Sequence, residues 1–297
     1  QRGARRGGWR DWERTQRKAR EASISVGPEW EQVSEIDFAR LSKLRLEVEE
    51  PETISTYGTL YAYDRTYDRV SVRFEKPLQP RDRVHYNPTT SEDPVIQQHA
   101  SGDAPAQVYA TDSILALLMC ATRSVYPWDI VITKTDDGKV FLDKRANGPF
   151  DFLTVNENAN EPPIELSDPA NPNPENSTRA QINTPSALSL EATFVNENFG
   201  FQAVDERKKH AFGAPNPFQV PSDEGQLASC GYRYRRFNLS TDEGDPVELV
   251  MRAELNAFVA GPSAKAPPAQ FITVRTLNEF DSRAPGAGGA PDWRLRL

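Results

Sequence analysis

Cysteine is close to absent from this chain of 297 residues, which carries Cys120 and Cys230 and no others. Two thiols build no disulfide framework, and a reducing compartment is their natural setting. Histidine is almost as scarce, with three in all. His85 and His99 each have one carboxylate close in sequence, Asp82 and Asp103. No second His or Cys stands at ligand spacing, so both read as ordinary surface histidines, and no metal or cofactor is expected. No apolar run reaches the ~18 residues of a membrane span, and no secretory leader is visible. The expectation is a soluble, cytoplasmic chain with no membrane partner. Gly-rich phosphate loops, a Gly-x-Ser-x-Gly elbow and a His-Glu-x-x-His pair are also missing, so no catalytic set assembles.

Net positive charge is missing too. The total of −8 argues against a uniformly basic nucleic-acid coat. It is unevenly spread, however. Residues 1–20 hold eight Lys and Arg against Asp11 and Glu13, which leaves −14 on the other 277 residues. This basic arm, residues 1–27, interleaves Arg5, Arg6 and Arg10 with Trp9 and Trp12. Cations among aromatic rings suit single-stranded RNA, whose phosphates take the charge and whose bases stack. A solubilising tail or a docking arm for an acidic partner has the same composition.

The body, residues 28–297, is long enough for a real core and reads as one α+β domain. Residues 110–130 are its strongest helix signal. Thr111 or Asp112 can cap the start, and Ile114, Leu115, Leu117, Leu118 and Met119 supply an apolar face. Pro127 stops the helix near residues 124–126, and a strand follows from Trp128 to Ile132. Upstream, Glu31 to Leu44 reads as an amphipathic helix with Val33, Ile36, Phe38, Leu41 and Leu44 inward. Residues 57–63 and 69–74 read as a hairpin, and Pro77, Pro80, Pro88 and Pro94 break the next stretch into loops. Asp136-Asp137-Gly138 is a strong hairpin turn. Residues 156–186 contain six prolines between 162 and 185 and almost nothing apolar, as in a mobile loop or a gate. Residues 187–201 form a helix or a strand leading into one. Three strands follow, at 232–237, 247–255 and 271–277. The first would place Arg233 and Arg235 on one face and Tyr232, Tyr234 and Arg236 on the other.

One pattern is nuclease-like. Metal-dependent nucleases commonly use Glu-x-Asp and then Glu-x-Lys on neighbouring strands to hold one or two Mg²⁺. Here Glu254 and Asn256 precede Thr273 and Arg275, so three of the four positions have changed. One carboxylate cannot hold two hard cations, although a cleft can still bind.

Several strings are similar to a family known as the d component of eukaryotic translation initiation factor 3. They are ATDSIL (110–115), TRSVYPWDIV (122–131), FDFLTV (150–155), NEPP (160–163), LEATFVNENF (190–199), YRYRR (232–236) and RTLNEFDSR (275–283). The resemblance covers residues 28–297 and implies a relative of the decapping exonucleases, with twisted mixed sheets and flanking helices forming a cup. The family's domain is expected to continue past Leu297. The resemblance implies a non-enzymatic subunit that binds the mRNA 5′ cap and RNA during initiation on selected messages. It implies as partners the other subunits of factor 3, its e component above all, and the small ribosomal subunit. The family's cap contacts fall on Asp112, Val125, Tyr126, Thr193 and Asn196, with Glu197 where animal members carry histidine. Its RNA gate corresponds to the 156–186 stretch, with Asn156, Asn160, Pro162, Pro163, Asp168 and Asn173. Aromatic faces attract the cationic 7-methylguanine, and a carboxylate such as Asp112 can accept from its N–H edge. Arg123, Arg233 and Arg235 are the candidates for the triphosphate. A decapping enzyme, or a scaffold with a closed or vestigial pocket, are the rival readings.

Overall fold

A computed structural model describes residues 27–41, 43, 48–69, 74, 76–101, 107–120, 129–145, 185–223, 225–240, 246–263 and 266–276. All of the basic arm but Gly27, and the gate-like stretch up to residue 184, lie outside them.

The described residues are mixed α+β, with one large sheet and few helices. The first half of the chain contributes β1 (Glu52–Tyr63), β2 (Val108–Thr111), β3 (Val131–Lys134) and β4 (Val140–Asp143). The second half contributes β5 (Val204–Ala211), β6 (Cys230–Asn238), β7 (Glu248–Leu255), β8 (Ala257–Val259) and β9 (Gln270–Ile272). The order is β3-β4-β2-β7-β6-β1-β8-β9, with β5 also paired to β1. Pairs β2/β4, β2/β7 and β1/β8 are parallel and the rest antiparallel. Among the described residues four α-helices accompany it: α1 (Phe38–Leu41), α2 (Pro94–Ala100), α3 (Asp112–Cys120) and α4 (Pro185–Gln202). None of them is long and apolar enough to cross a membrane.

Alternation along β6 is as the sequence predicts. Tyr232 and Tyr234 are fully buried beneath α2, in a core with Val95, Ile96, Tyr109, Phe141 and Val250. Arg233 and Arg235 lie on the opposite face, with Arg233 over Phe271, which packs on the smaller cluster of Leu60, Ala62, Leu255 and Phe258. The Asp-Gly hairpin also forms: Gly138 has φ +87° and donates to Thr135 O at 2.9 Å between β3 and β4.

Other expectations need correction. Among the described residues the 31–44 helix shrinks to the single turn α1, with Val33 92% exposed and Ile36 also exposed; Leu44 lies outside them. Residues 57–63 belong to β1, which pairs with β5, β6 and β8. Arg69 closes a 3₁₀ turn, and residues 70–73 lie outside the described residues. Pro94 opens a helix instead of breaking one. Its missing N–H is an orphan at the first helical position anyway, and Asp93 caps α2 by accepting from Val95 N and Ile96 N. Helix α3 packs on β2 and β7 with only Ile114 buried, and Met119 is 82% exposed. Trp128 lies outside the described residues, and the strand expected from there begins at Val131 after Asp129 and Ile130. Residues 187–201 take the helical of their two readings; the strand expected over 271–277 ends at Ile272, with Leu277 outside the described residues.

Candidate functional site

The parallel pairing of β2 with β7 places the C-terminal ends of both strands side by side, with Thr111 opposite Arg252. Asp112, the next residue after β2, therefore reaches the end of β7. Its Oδ2 accepts from Glu254 N at 3.1 Å, and its Oδ1 accepts from Ser113 N at 2.8 Å. Thr111 Oγ1 takes Ile114 N at 3.4 Å, so both residues proposed as caps contribute to the helix start.

Glu254 forms the floor of a small cleft lined by His85, Asn196, Glu197, Asn256 and Arg275. Asn256 Nδ2 donates to Glu254 Oε1 at 2.9 Å, and Arg275 Nη1 donates to Asn256 Oδ1 at 2.9 Å. Thr273 Oγ1 donates to the Glu254 carbonyl at 2.9 Å. The four positions of the nuclease-like pattern thus meet in space as their spacing suggests. Arg275 forms no ion pair among the described residues, and its unused N–H groups are available to an anion. Internal space amounts to about 20 Å³, room for one water-sized group.

His85 corrects the surface reading made of it. Its side chain is 8% exposed, with Nε2 3.2 Å from Glu254 Oε1 and Nδ1 3.5 Å from Glu197 Oε1. The residue before it, Val84, is held by an isolated bridge to Leu227. Nor is His85 without partners of ligand type. Its ring nitrogen, Cys230 Sγ and a Glu254 oxygen all lie within 4.8 Å of one another. Burial works against the charged imidazole, but the Glu254 charge and the hydrogen bonds the ring makes to Cys230, Glu197 and Glu254 outweigh it and raise the His85 pKa. Burial likewise opposes ionisation of Glu254, yet the His85 and Arg275 charges prevail and bring it down to about 2. Asp112 moves the other way: burial and then the Glu254 charge raise its pKa. Burial raises that of the Cys230 thiol as well.

The whole chain, residues 1–297, matches the model of the family described as eukaryotic translation initiation factor 3 subunit 7. A relative from Mycosarcoma maydis, named as the D component of eukaryotic translation initiation factor 3, is 59% identical over 293 residues, 98% of this chain and 49% of that protein. Relatives of the same name from Schizosaccharomyces pombe and Aspergillus fumigatus are 47% and 48% identical over 298 residues, 99% of this chain in each case and 50% and 49% of those proteins. This chain belongs to the initiation factor 3 subunit 7 family. It spans about half the length of these curated relatives.

Of the positions read as cap contacts by likeness to the initiation factor family, Asn196 and Glu197 line the cleft and Asp112 abuts its floor. Thr193 is buried one turn before Asn196 on α4. Asn196 also has a structural task, since its Oδ1 accepts from Thr276 N at 2.9 Å and fastens α4 to the chain after β9. Val125, Tyr126 and Arg123, the arm residues Arg5, Arg6, Trp9, Arg10 and Trp12, and gate positions Asn156 to Asn173 lie outside the described residues. Arg233 and Arg235 are not brought to the cleft. Arg235 pairs with Glu50 at 2.5 Å, and Arg233 lies over the Phe271 ring. Sequence reasoning missed His85 and Cys230 as members of the site. Their only signal was type, since they reach Glu254 from remote positions in the chain.

Proposed function

We propose that this cleft contributes to binding the mRNA 5′ cap and adjoining RNA, within a non-catalytic subunit of translation initiation factor 3. The observation that carries the reading is the meeting of Asp112, from the end of β2, with Asn196 and Glu197, from α4, around Glu254 and Arg275. Asp112 offers acceptor capacity for a guanine edge. Arg275 replaces Arg233 and Arg235 as the candidate for the triphosphate. His85 counters Glu197 and Glu254, which removes much of the repulsion these carboxylates exert on phosphate. Hydrolysis is disfavoured by the donor set: Asn256 stands where a second carboxylate would hold a hard cation, and its oxygen is bonded to Arg275. The relationship to decapping exonucleases, the gate role of residues 156–186, RNA contact by the arm, and partnership with the factor's e component and the small ribosomal subunit belong to the same proposal.

The enclosed part of the cleft, about 20 Å³, has room for a water-sized group, so a methylated guanine needs space beyond it. That small enclosed space is the one observation favouring a scaffold with a shut pocket.

Photocrosslinking of capped RNA to the full-length protein tests the proposal. Asp112→Gln combined with Tyr126→Ala should abolish the cap-competable crosslink while the circular dichroism spectrum stays unchanged. Arg275→Ala should weaken it about tenfold, the loss of one charge-assisted contact. A signal indifferent to all three substitutions would remove the cap from this cleft, and no gain on deleting residues 162–178 would support the scaffold. Mg²⁺-dependent cap release abolished by Glu254→Gln would instead establish an enzyme.

A further inference from the structure

We propose that His85, Cys230 and Glu254 form a binding site for one soft divalent cation, with zinc the ion that their donors suit. Imidazole nitrogen, thiolate sulfur and carboxylate oxygen together are a zinc-type set, whereas Mg²⁺ and Ca²⁺ take oxygen alone. The three side chains come from different elements: the segment after Val84, the first residue of β6, and the end of β7. Convergence of three such donors within 4.8 Å, with Cys230 part of the main core, is not a consequence of surface charge.

The distances fit a tetrahedral ion. His85 Nε2 lies 3.2 Å from Glu254 Oε1. Two ligand atoms bound at ~2.0–2.1 Å to one tetrahedral zinc stand about 3.3 Å apart. The thiolate of a zinc site stands about 3.5 Å from its neighbours, so Cys230 has little more than 1 Å to close. Enclosure is also appropriate, with Cys230 4% exposed.

The surrounding groups are those that orient metal ligands. With Nε2 towards the ion, Nδ1 faces Glu197 at 3.5 Å, the carboxylate–histidine pairing that fixes the ring and its tautomer. Asn256 holds the Glu254 carboxylate at 2.9 Å. His85 and Glu254 also line the 20 Å³ space, which suits a water as fourth ligand. Binding is a ligand exchange without redox change. Cys230 gives up its thiol proton and His85 its Nε2 proton, and both pass to solvent as the zinc bonds form. The site differs from the nuclease-like pattern, since of its three ligands only Glu254 occurs there.

The test is metal titration of the full-length protein after removal of bound metal with a chelator, without RNA and so independent of cap binding. Zinc should bind at one per chain. Cobalt(II) should give a thiolate-to-metal charge-transfer band with the visible bands of a tetrahedral site. Cys230→Ser should abolish the charge-transfer band, and Cys120→Ser, at the exposed cysteine, should leave it intact. Glu197→Gln keeps all three ligands and should weaken zinc affinity about tenfold, as loss of an outer partner does. It keeps the test decisive should Cys230→Ser fail to fold. Absence of stoichiometric zinc, or a band that survives Cys230→Ser, would overturn the proposal and leave His85 as an imidazolium held between two carboxylates.

Discussion

Replacing Arg252 by methionine is expected to lower stability by about 3–5 kcal/mol, the usual cost of stripping one partner from a buried ion pair. Asp93 is fully buried, and Arg252 Nη1 donates to its Oδ2 at 2.8 Å. The other end of the guanidinium donates to Pro88 O at 2.8 Å and lies over the Phe218 and Tyr232 rings. Asp93 also accepts from Val95 N, Ile96 N and the Tyr234 hydroxyl. Methionine fills the volume but leaves this carboxylate with dipoles and no countercharge. The melting temperature should fall by roughly 10 °C in a chain of this size. Asp93→Asn preserves an acceptor for the helix cap and strands the cation instead. Combined with Arg252→Met it should cost at least about 1 kcal/mol less than the two single losses added. Strict additivity would show that the pair is not what holds α2 to β7.

Local signals were the legible ones. The Asp-Gly turn, the alternation of β6 and the start of α3 each depend on a few adjacent residues, and each formed at its expected place. Elements decided by tertiary context were not legible. Strand β5 reads Val-Asp-Glu-Arg-Lys-Lys-His-Ala, with no apolar alternation at all. It is a strand because β1 offers it a hydrogen-bonding edge, and its outward charges suit a strand that faces water. Helix α2 was hidden because a proline after aspartate reads as a breaker until the carboxylate is seen capping it. Conversely, Met119 has the right period for a core residue, but Ile114 is the one residue of α3 that is buried and Met119 is exposed.

The cleft divides along the same line. Glu254, Asn256, Thr273 and Arg275 were legible as a group because β8 and β9 follow β7 in the chain and pair as neighbours, with Ala257 opposite Ile272. Asp112 joins them through parallel pairing with β7, which no spacing discloses. His85 and Cys230 come from still further away. A histidine judged by its sequence neighbours was assigned to the surface, although its partners were simply elsewhere in the chain.

Gly58→Ala should be the second large loss, about 2–5 kcal/mol in denaturant unfolding, summed from backbone strain and overpacking. Gly58 sits in the middle of β1 at φ +90°, where an L-residue is strained by about 1–2 kcal/mol. A methyl group there would also lie 2.5 Å from the Cys230 carbonyl and 3.2 Å from Gly231 Cα, both backbone atoms. The strand cannot move aside cheaply. Gly58 N donates to Ala214 O at 2.9 Å and its carbonyl accepts from Phe212 N at 3.0 Å, which pins it from the other edge. Overpacking of this kind adds about 1–3 kcal/mol. Gly138 separates the two contributions, since it has φ +87° but nothing within 4 Å of the added methyl. Gly138→Ala should therefore show only the conformational part. Equal losses at the two positions would refute the steric account, while a larger loss at Gly58 locates its cause in the close approach of β1 to β6 that sets the position of Cys230.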